Sequence, residues 1–185
     1  LGGGFGVSYQ NETPLDKAQY LTELVEMAKD FPNVTLMLEP GRAIAANAGV
    51  LLTSVEYIKP SEDKRFVLVD AGMNDMLRPS LYQAWHDIVP VKEKSDEAPQ
   101  ISDIVGPVCE TGDFLGHARH LNVAQDDILV VKHAGAYGFT MASNYNSRGR
   151  PAEVMVSGND ARLVRERENF DDLIRGEHLL DKDYI

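Results

Sequence analysis

The chain has 185 residues, 43% of them hydrophobic, enough for one large or two small domains with a packed core. Eighteen basic against 29 acidic residues leave a net charge of −11, which argues against nucleic acid and against an anionic membrane surface and reads as solubility. The single cysteine cannot close an internal disulfide, and no apolar run reaches membrane-spanning length or forms a secretory leader, so a cytoplasmic setting is expected.

The chain opens on Gly2-Gly3-Gly4-Phe5-Gly6. Such loops normally follow strands, so Leu1 reads as the end of a strand and the sequence as the C-terminal piece of a longer protein. Backbone N–H groups bare of side chains can cradle a phosphate; the alternative is a flexible terminus. Thr13 then reads as an N-cap with Pro14 at the first helical position. Leu15, Ala18, Leu21, Leu24, Val25 and Ala28 recur at helical spacing, and Phe31-Pro32 ends the helix. Val34 to Leu38 reads as a buried strand running into Glu39-Pro40-Gly41-Arg42, and Ala43 to Ala48 as a second helix. Residues 1–48 thus have the βα rhythm of a parallel sheet or barrel, and a carboxylate and guanidinium at a strand's C-terminal end face a ligand in such folds. A helix-initiating turn with a surface ion pair is the competing reading.

From residue 49 onward the pattern is mainly β, a sandwich or open barrel. The strand candidates are Val50 to Lys59, Phe66 to Asp70, Ile88 to Val91, Gln100 to Val105, Ile128 to Lys132 and Val154 to Ser157, with Asn169 to Arg175 as a short terminal helix. Lys92 to Pro99 reads as an exposed acidic loop. In the segment after the second strand, Arg78 and Tyr82 stand four apart, on one face of any short helix; the pair suits a carboxylate, and taken alone it reads more readily as a surface arginine packed on a tyrosine. Gly106 to Leu115 holds the only cysteine, Cys109, beside Glu110, where a thiol can donate a proton and a carboxylate can hold an ammonium; a buried inert cysteine is the alternative. Ala134-Gly135-Ala136-Tyr137-Gly138 follows a strand and presents a tyrosine among small residues, either as a site or as a packed β-bulge. The five histidines show no metal-ligand spacing, and no serine stands in a nucleophile elbow.

GGGFG, EPGR, LRPSLY, GPVCETGDFL, AGAYGFTMASNYN and RPAEVMV, in this order and nearly end to end, resemble the diaminopimelate decarboxylases, pyridoxal-phosphate enzymes of lysine biosynthesis related to the ornithine and arginine decarboxylases. Glu110 marks the resemblance, since the ornithine-type relatives carry aspartate there. The resemblance implies the end of a pyridoxal-phosphate-binding (β/α)8 barrel over 1–48, a β domain over 49–185, and a homodimer acting on meso-diaminopimelate. It further implies that Gly2, Gly3, Gly4 and Gly41 bind the cofactor phosphate and that Glu39 pairs with the pyridine nitrogen. Arg42, Arg78 and Tyr82 would bind substrate carboxylate, with Arg42 also among the cofactor-binding residues, Glu110 the distal ammonium, and Tyr137 cofactor or substrate. Cys109 would protonate the carbanion, and Cys109 and Glu110 would reach into a second subunit's site. The family's Schiff-base lysine lies upstream of the Gly-rich loop. None of Lys17, Lys29, Lys59, Lys64, Lys92, Lys94, Lys132 and Lys182 sits in its motif, so these 185 residues alone are expected to be inactive. The other readings are an ornithine- or arginine-type decarboxylase and a non-catalytic, dimerising relative.

Overall fold

A computed structural model describes residues 1–95 and 98–181. Lys182, the last residues of the 49–185 segment and two residues of the acidic stretch lie outside the described residues.

Residues 1–50 contain helices and no strand. Helix α1 runs from Lys17 to Ala28, and its N-cap is Asp16, not Thr13: the Asp16 carboxylate accepts the N–H groups of Ala18 and Gln19, both at 3.0 Å. The apolar stripe predicted for this helix exists, yet none of its residues is buried. Its N-terminal half borders an apolar cleft of about 170 Å³ where Lys17 and Leu21 face Phe5, Leu38, Pro40 and Ile44. The strand expected over Val34 to Leu38 does not form. Val34, Leu36 and Met37 stay open, Met37 at 73% exposure, because a strand needs a neighbour and the backbone here meets only Val34 N–H to Phe31 O at 3.0 Å and, just beyond, Glu39 N–H to Gly2 O at 3.4 Å among the described residues. Helix α2 is Gly41–Ala45, followed by a 3-10 turn to Ala48.

The core belongs to a six-stranded sheet. Its strands are β1 (Leu51–Pro60), β2 (Arg65–Val69), β3 (Ile88–Pro90), β4 (Gln100–Val105), β5 (Phe114–Leu121) and β6 (Ile128–Val131). Their order in space is β3-β6-β1-β2-β4-β5, antiparallel except for the parallel pair β2–β4. Val55, Val67, Val69, Ile104, Leu115, Leu129 and Val131 close on one another at 2% exposure or less. Alternate inward positions on β2 (Val67, Val69) and β6 (Leu129, Val131) supply this face, as period-2 patterning requires. The sheet curls until its edges meet: the Arg119 guanidinium of β5 donates Nη2–H to the carbonyl of His86, beside β3, at 2.9 Å. Helix α3, Arg78–Tyr82, lies between β2 and β3.

β7 (Glu153–Ser157) and β8 (Asp160–Arg165) form a separate hairpin whose residues are almost all exposed. The closing helix α4, Phe170–Leu173, begins with a capping box between Asn169 and Asp172. Glu168 fastens this end to the rest. It accepts the Arg150 guanidinium and backbone N–H and the Asn144 amide, and the Arg150 side chain in particular holds its carboxyl down at about 2. Among the described residues no helix is long and apolar enough to cross a membrane.

Candidate active site

The Gly-rich loop and the EPGR turn touch. A Cβ on Gly3 would stand 2.5 Å from the Glu39 carbonyl oxygen, so only glycine permits this approach. Gly2, Gly3 and Gly4 are exposed, and Gly4 has φ of +91°. The Glu39 carboxylate is exposed and, like the half-buried Arg42 side chain on α2, has no hydrogen-bond partner among the described residues. Gly41 departs from expectation in one respect: its N–H is spent inside the turn, donated to Glu39 O at 2.9 Å.

The helix that carries Arg42 ends against the AGAYG turn. Gly135 N–H donates to Ala46 O at 3.1 Å and Ala134 N–H to Gly49 O at 2.8 Å. Tyr137 sits in this turn beyond β6, not in a bulge within it. Its φ of +61° is left-handed, a conformation rarely adopted by a bulky residue, and its ring is 47% exposed. Such strain persists only where surroundings impose it.

The two residues expected to act together stand one turn apart on α3 but differ in burial. Arg78 is 8% exposed, while Tyr82, one turn on, is 62% exposed. Arg78 has instead two partners that the sequence did not suggest. Its Nη1 lies 3.0 Å from His86 Nε2, and its Cζ stands 4.9 Å from the ring centre of Tyr9. His86 is fully buried and its Nδ1 faces the Lys132 carbonyl oxygen at 2.8 Å. Burial first, then the neighbouring positive charges of Arg78 and Arg119, push its pKa down from 6.5 to about 4. No carboxylate pairs with Arg78 among the described residues. A local signal for these contacts was absent, since Tyr9, Arg78 and His86 meet only through the tertiary fold.

Cys109 and Glu110 ride on a tight loop, both exposed. The buried Asp113 shapes that loop. Its carboxylate accepts Val108 N–H at 2.7 Å and, from the segment after β2, Met73 N–H at 2.6 Å. Its backbone closes the turn with Gly106 N–H to Asp113 O at 3.0 Å. Gly106 lies so near this carboxylate and the Gly72 Cα that a side chain would collide with both. Burial raises the Asp113 pKa, with the two N–H donors opposing it. Among the described residues the Cys109 thiol has no hydrogen-bond partner, and the Glu110 side chain has only the Thr111 hydroxyl, donating at 3.1 Å. The fold therefore draws the glycines, Glu39, Arg42 and the Tyr137 turn into one connected neighbourhood. It leaves Cys109 and Glu110 pointing to solvent on their own loop. A separate recess of about 410 Å³ between α3 and β5, bordered by Trp85, His117 and Arg119, contains none of the predicted residues.

The chain is similar to known proteins over nearly its whole length. The profile of the pyridoxal-dependent decarboxylase C-terminal sheet domain matches residues 13–135. A diaminopimelate decarboxylase of Vibrio cholerae is 53% identical over 173 residues, covering 94% of this chain and 41% of that protein. The crystal structure of a diaminopimelate decarboxylase from M. jannaschii superposes with a TM-score of 0.92 at 37% identity, over all of this chain and 43% of the other. That of the Helicobacter pylori enzyme complexed with L-lysine gives 0.85 at 42% identity, over 94% and 43%. The chain thus spans less than half the length of these relatives, and it belongs to the pyridoxal-dependent decarboxylases, carrying their C-terminal sheet domain.

Proposed function

We propose that these residues are the C-terminal part of a cytoplasmic diaminopimelate decarboxylase, which converts meso-2,6-diaminopimelate to L-lysine and CO2. Residues 1–48 then complete a cofactor-binding barrel and residues 49–185 form the β domain. The observation that carries this reading is Arg78, a buried guanidinium with no carboxylate partner among the described residues. A buried charge is costly unless answered, so the site suits an anion that the chain does not itself supply. The distal carboxylate of diaminopimelate is such an anion, and a planar fork grips it with two hydrogen bonds. The H. pylori relative is solved with L-lysine, the product expected here.

The residues present fit pyridoxal phosphate at two ends. Exposed glycines with open space around Gly2 and Gly4 leave backbone N–H groups for the phosphate, and the unspent Glu39 carboxylate suits a protonated ring nitrogen. Gly41 contributes its N–H only by leaving the Glu39 carbonyl. When bound, the cofactor supplies the sink for the electron pair left behind as CO2 departs. Arg42 binds carboxylate near the reacting carbon, and Arg78 with Tyr82 binds the distal one. Glu110 holds the distal ammonium, and Tyr137 borders the cofactor. As the bond to the carboxylate breaks, the Cys109 Sγ proton closes a C–H bond in its place. Solvent-facing Cys109 and Glu110 favour a homodimer in which this loop completes the site of a second copy.

The test is kinetic, on the longer polypeptide that carries these residues. It is expected to decarboxylate meso-diaminopimelate in preference to ornithine, arginine or lysine. Arg78→Ala should raise KM for diaminopimelate by about 10- to 100-fold, the loss of a hydrogen bond to a charged group. Glu110→Ala should raise KM and lower kcat. Preference for ornithine or arginine would move the assignment to those enzymes, and no CO2 from any of the four would leave a non-catalytic relative. The 185 residues alone are expected to release none.

A further inference from the structure

The hydrogen bonds around His86 have only one possible direction. A carbonyl oxygen accepts and cannot donate, so the contact of Nδ1 with Lys132 O, at 2.8 Å, puts the ring proton on Nδ1. Nε2 of that neutral ring is then an acceptor, and the Arg78 guanidinium, which has donors only, gives it an N–H at 3.0 Å. A doubly protonated ring would set donor against donor. The remaining faces are also occupied. The Tyr9 ring lies under the guanidinium and meets the His86 ring edge-on at 5.1 Å. The His86 carbonyl accepts Arg119 Nη2–H at 2.9 Å, and that guanidinium in turn stacks 3.2 Å from the Trp85 ring centre. His86 is therefore held at backbone and side chain alike, and is fully buried.

An acidic residue in this place would also accept from Arg78, but it would form an ion pair and consume the charge. A neutral acceptor fixes the guanidinium while leaving its charge and its other N–H groups unspent. We propose that His86 is a positioning residue that orients Arg78 for the distal carboxylate of the substrate without neutralising it. This rests on the reading that Arg78 binds that carboxylate. Through Lys132 the same ring ties the arginine to the end of β6, from which the Tyr137 turn departs.

Two near-isosteric variants of the full-length holoenzyme separate charge from shape. In His86→Gln the amide oxygen can take the place of Nε2, and in His86→Glu a carboxylate does. We expect KM for meso-diaminopimelate to stay within about 3-fold of wild type in His86→Gln and to rise about 10-fold or more in His86→Glu, with thermal unfolding temperatures alike. His86→Asn, which keeps a donor toward Lys132 but falls short of Arg78, should also raise KM. A wild-type KM in His86→Glu, or equal KM in the Gln and Glu variants, overturns the proposal. Nitrogen-15 spectra of the histidine-labelled wild-type enzyme at pH 7 provide a check that needs no variant to fold: His86 should be neutral with the proton on Nδ1, and the Nε2–H tautomer or an imidazolium overturns it. If Arg78→Ala leaves KM unchanged, the carboxylate-binding reading itself fails. If Arg78→Ala raises KM while His86→Glu does not, only the role of His86 fails.

Discussion

A guanidinium out of water normally finds a carboxylate, and Arg78 finds a neutral ring and an aromatic face. That choice has a thermodynamic signature. The folded pKa of His86, about 4, lies below the ordinary 6.5, so the unfolded chain takes up a proton that the folded chain refuses. Above pH 6.5 the ring is neutral in both states and its contribution is whole. Stability should fall as pH drops from 6.5 toward 4, by about 3 kcal/mol at most, and fall no further on this account below that. His86→Gln should lack this step in denaturant titrations run across the same window; an identical acid limb in the variant would assign it to other groups. At this scale the sequence offered Arg78 as a candidate through LRPSLY, and the structure adds its burial without a carboxylate among the described residues. The sequence was silent on Tyr9 and His86, which are separated in the chain by three helices and two strands and carry no local pattern.

The loop of residues 106–113 is an element built around one carboxylate. Asp113 spends its oxygens on Val108 N–H and Met73 N–H, so it both closes the turn under Cys109 and pins it to the segment after β2. Asp113→Ala strands two buried donors and should cost about 2–4 kcal/mol, read as a lower unfolding midpoint, and should lower kcat more than any change at exposed Thr111. β1, β2, β4 and β6 were legible to within a residue or so, as apolar, β-branched runs bounded by turn residues. β5 was not. Its burial runs Leu115 and Gly116 in succession, its register against β4 slips twice, and Ala118 has φ of +52°, so no period of two survives in its sequence. β8 was missed because every residue in it is exposed, which removes the contrast that marks a strand. The opposite error occurred at Val34 to Leu38, where an apolar run met the composition of a buried strand without a neighbour to make it one. α1 was found, but its start was misplaced by three residues because Thr13-Pro14 and Asp16 offer rival caps and only the carboxylate makes the bonds.

For the whole molecule, the order β3-β6-β1-β2-β4-β5 places an early strand at the centre and its flank late in the chain. β1 has β2 on one edge and β6 on the other, and β3 has β6 alone. A chain ended after Ala124 should therefore keep the β1–β2–β4–β5 pairings but leave β1 with an open edge and the core without Leu129 and Val131, both fully buried. It should elute as aggregate on size exclusion, whereas one ended after Ala152 should lose the outlying hairpin and keep the sheet. On the ribosome the same arrangement imposes a wait. The central strand emerges early, pairs on one side, and stays half-finished while some seventy more residues are made. During that interval its free edge is the surface most open to a chaperone or to a neighbouring nascent chain, and the arrival of β6 is what ends the exposure.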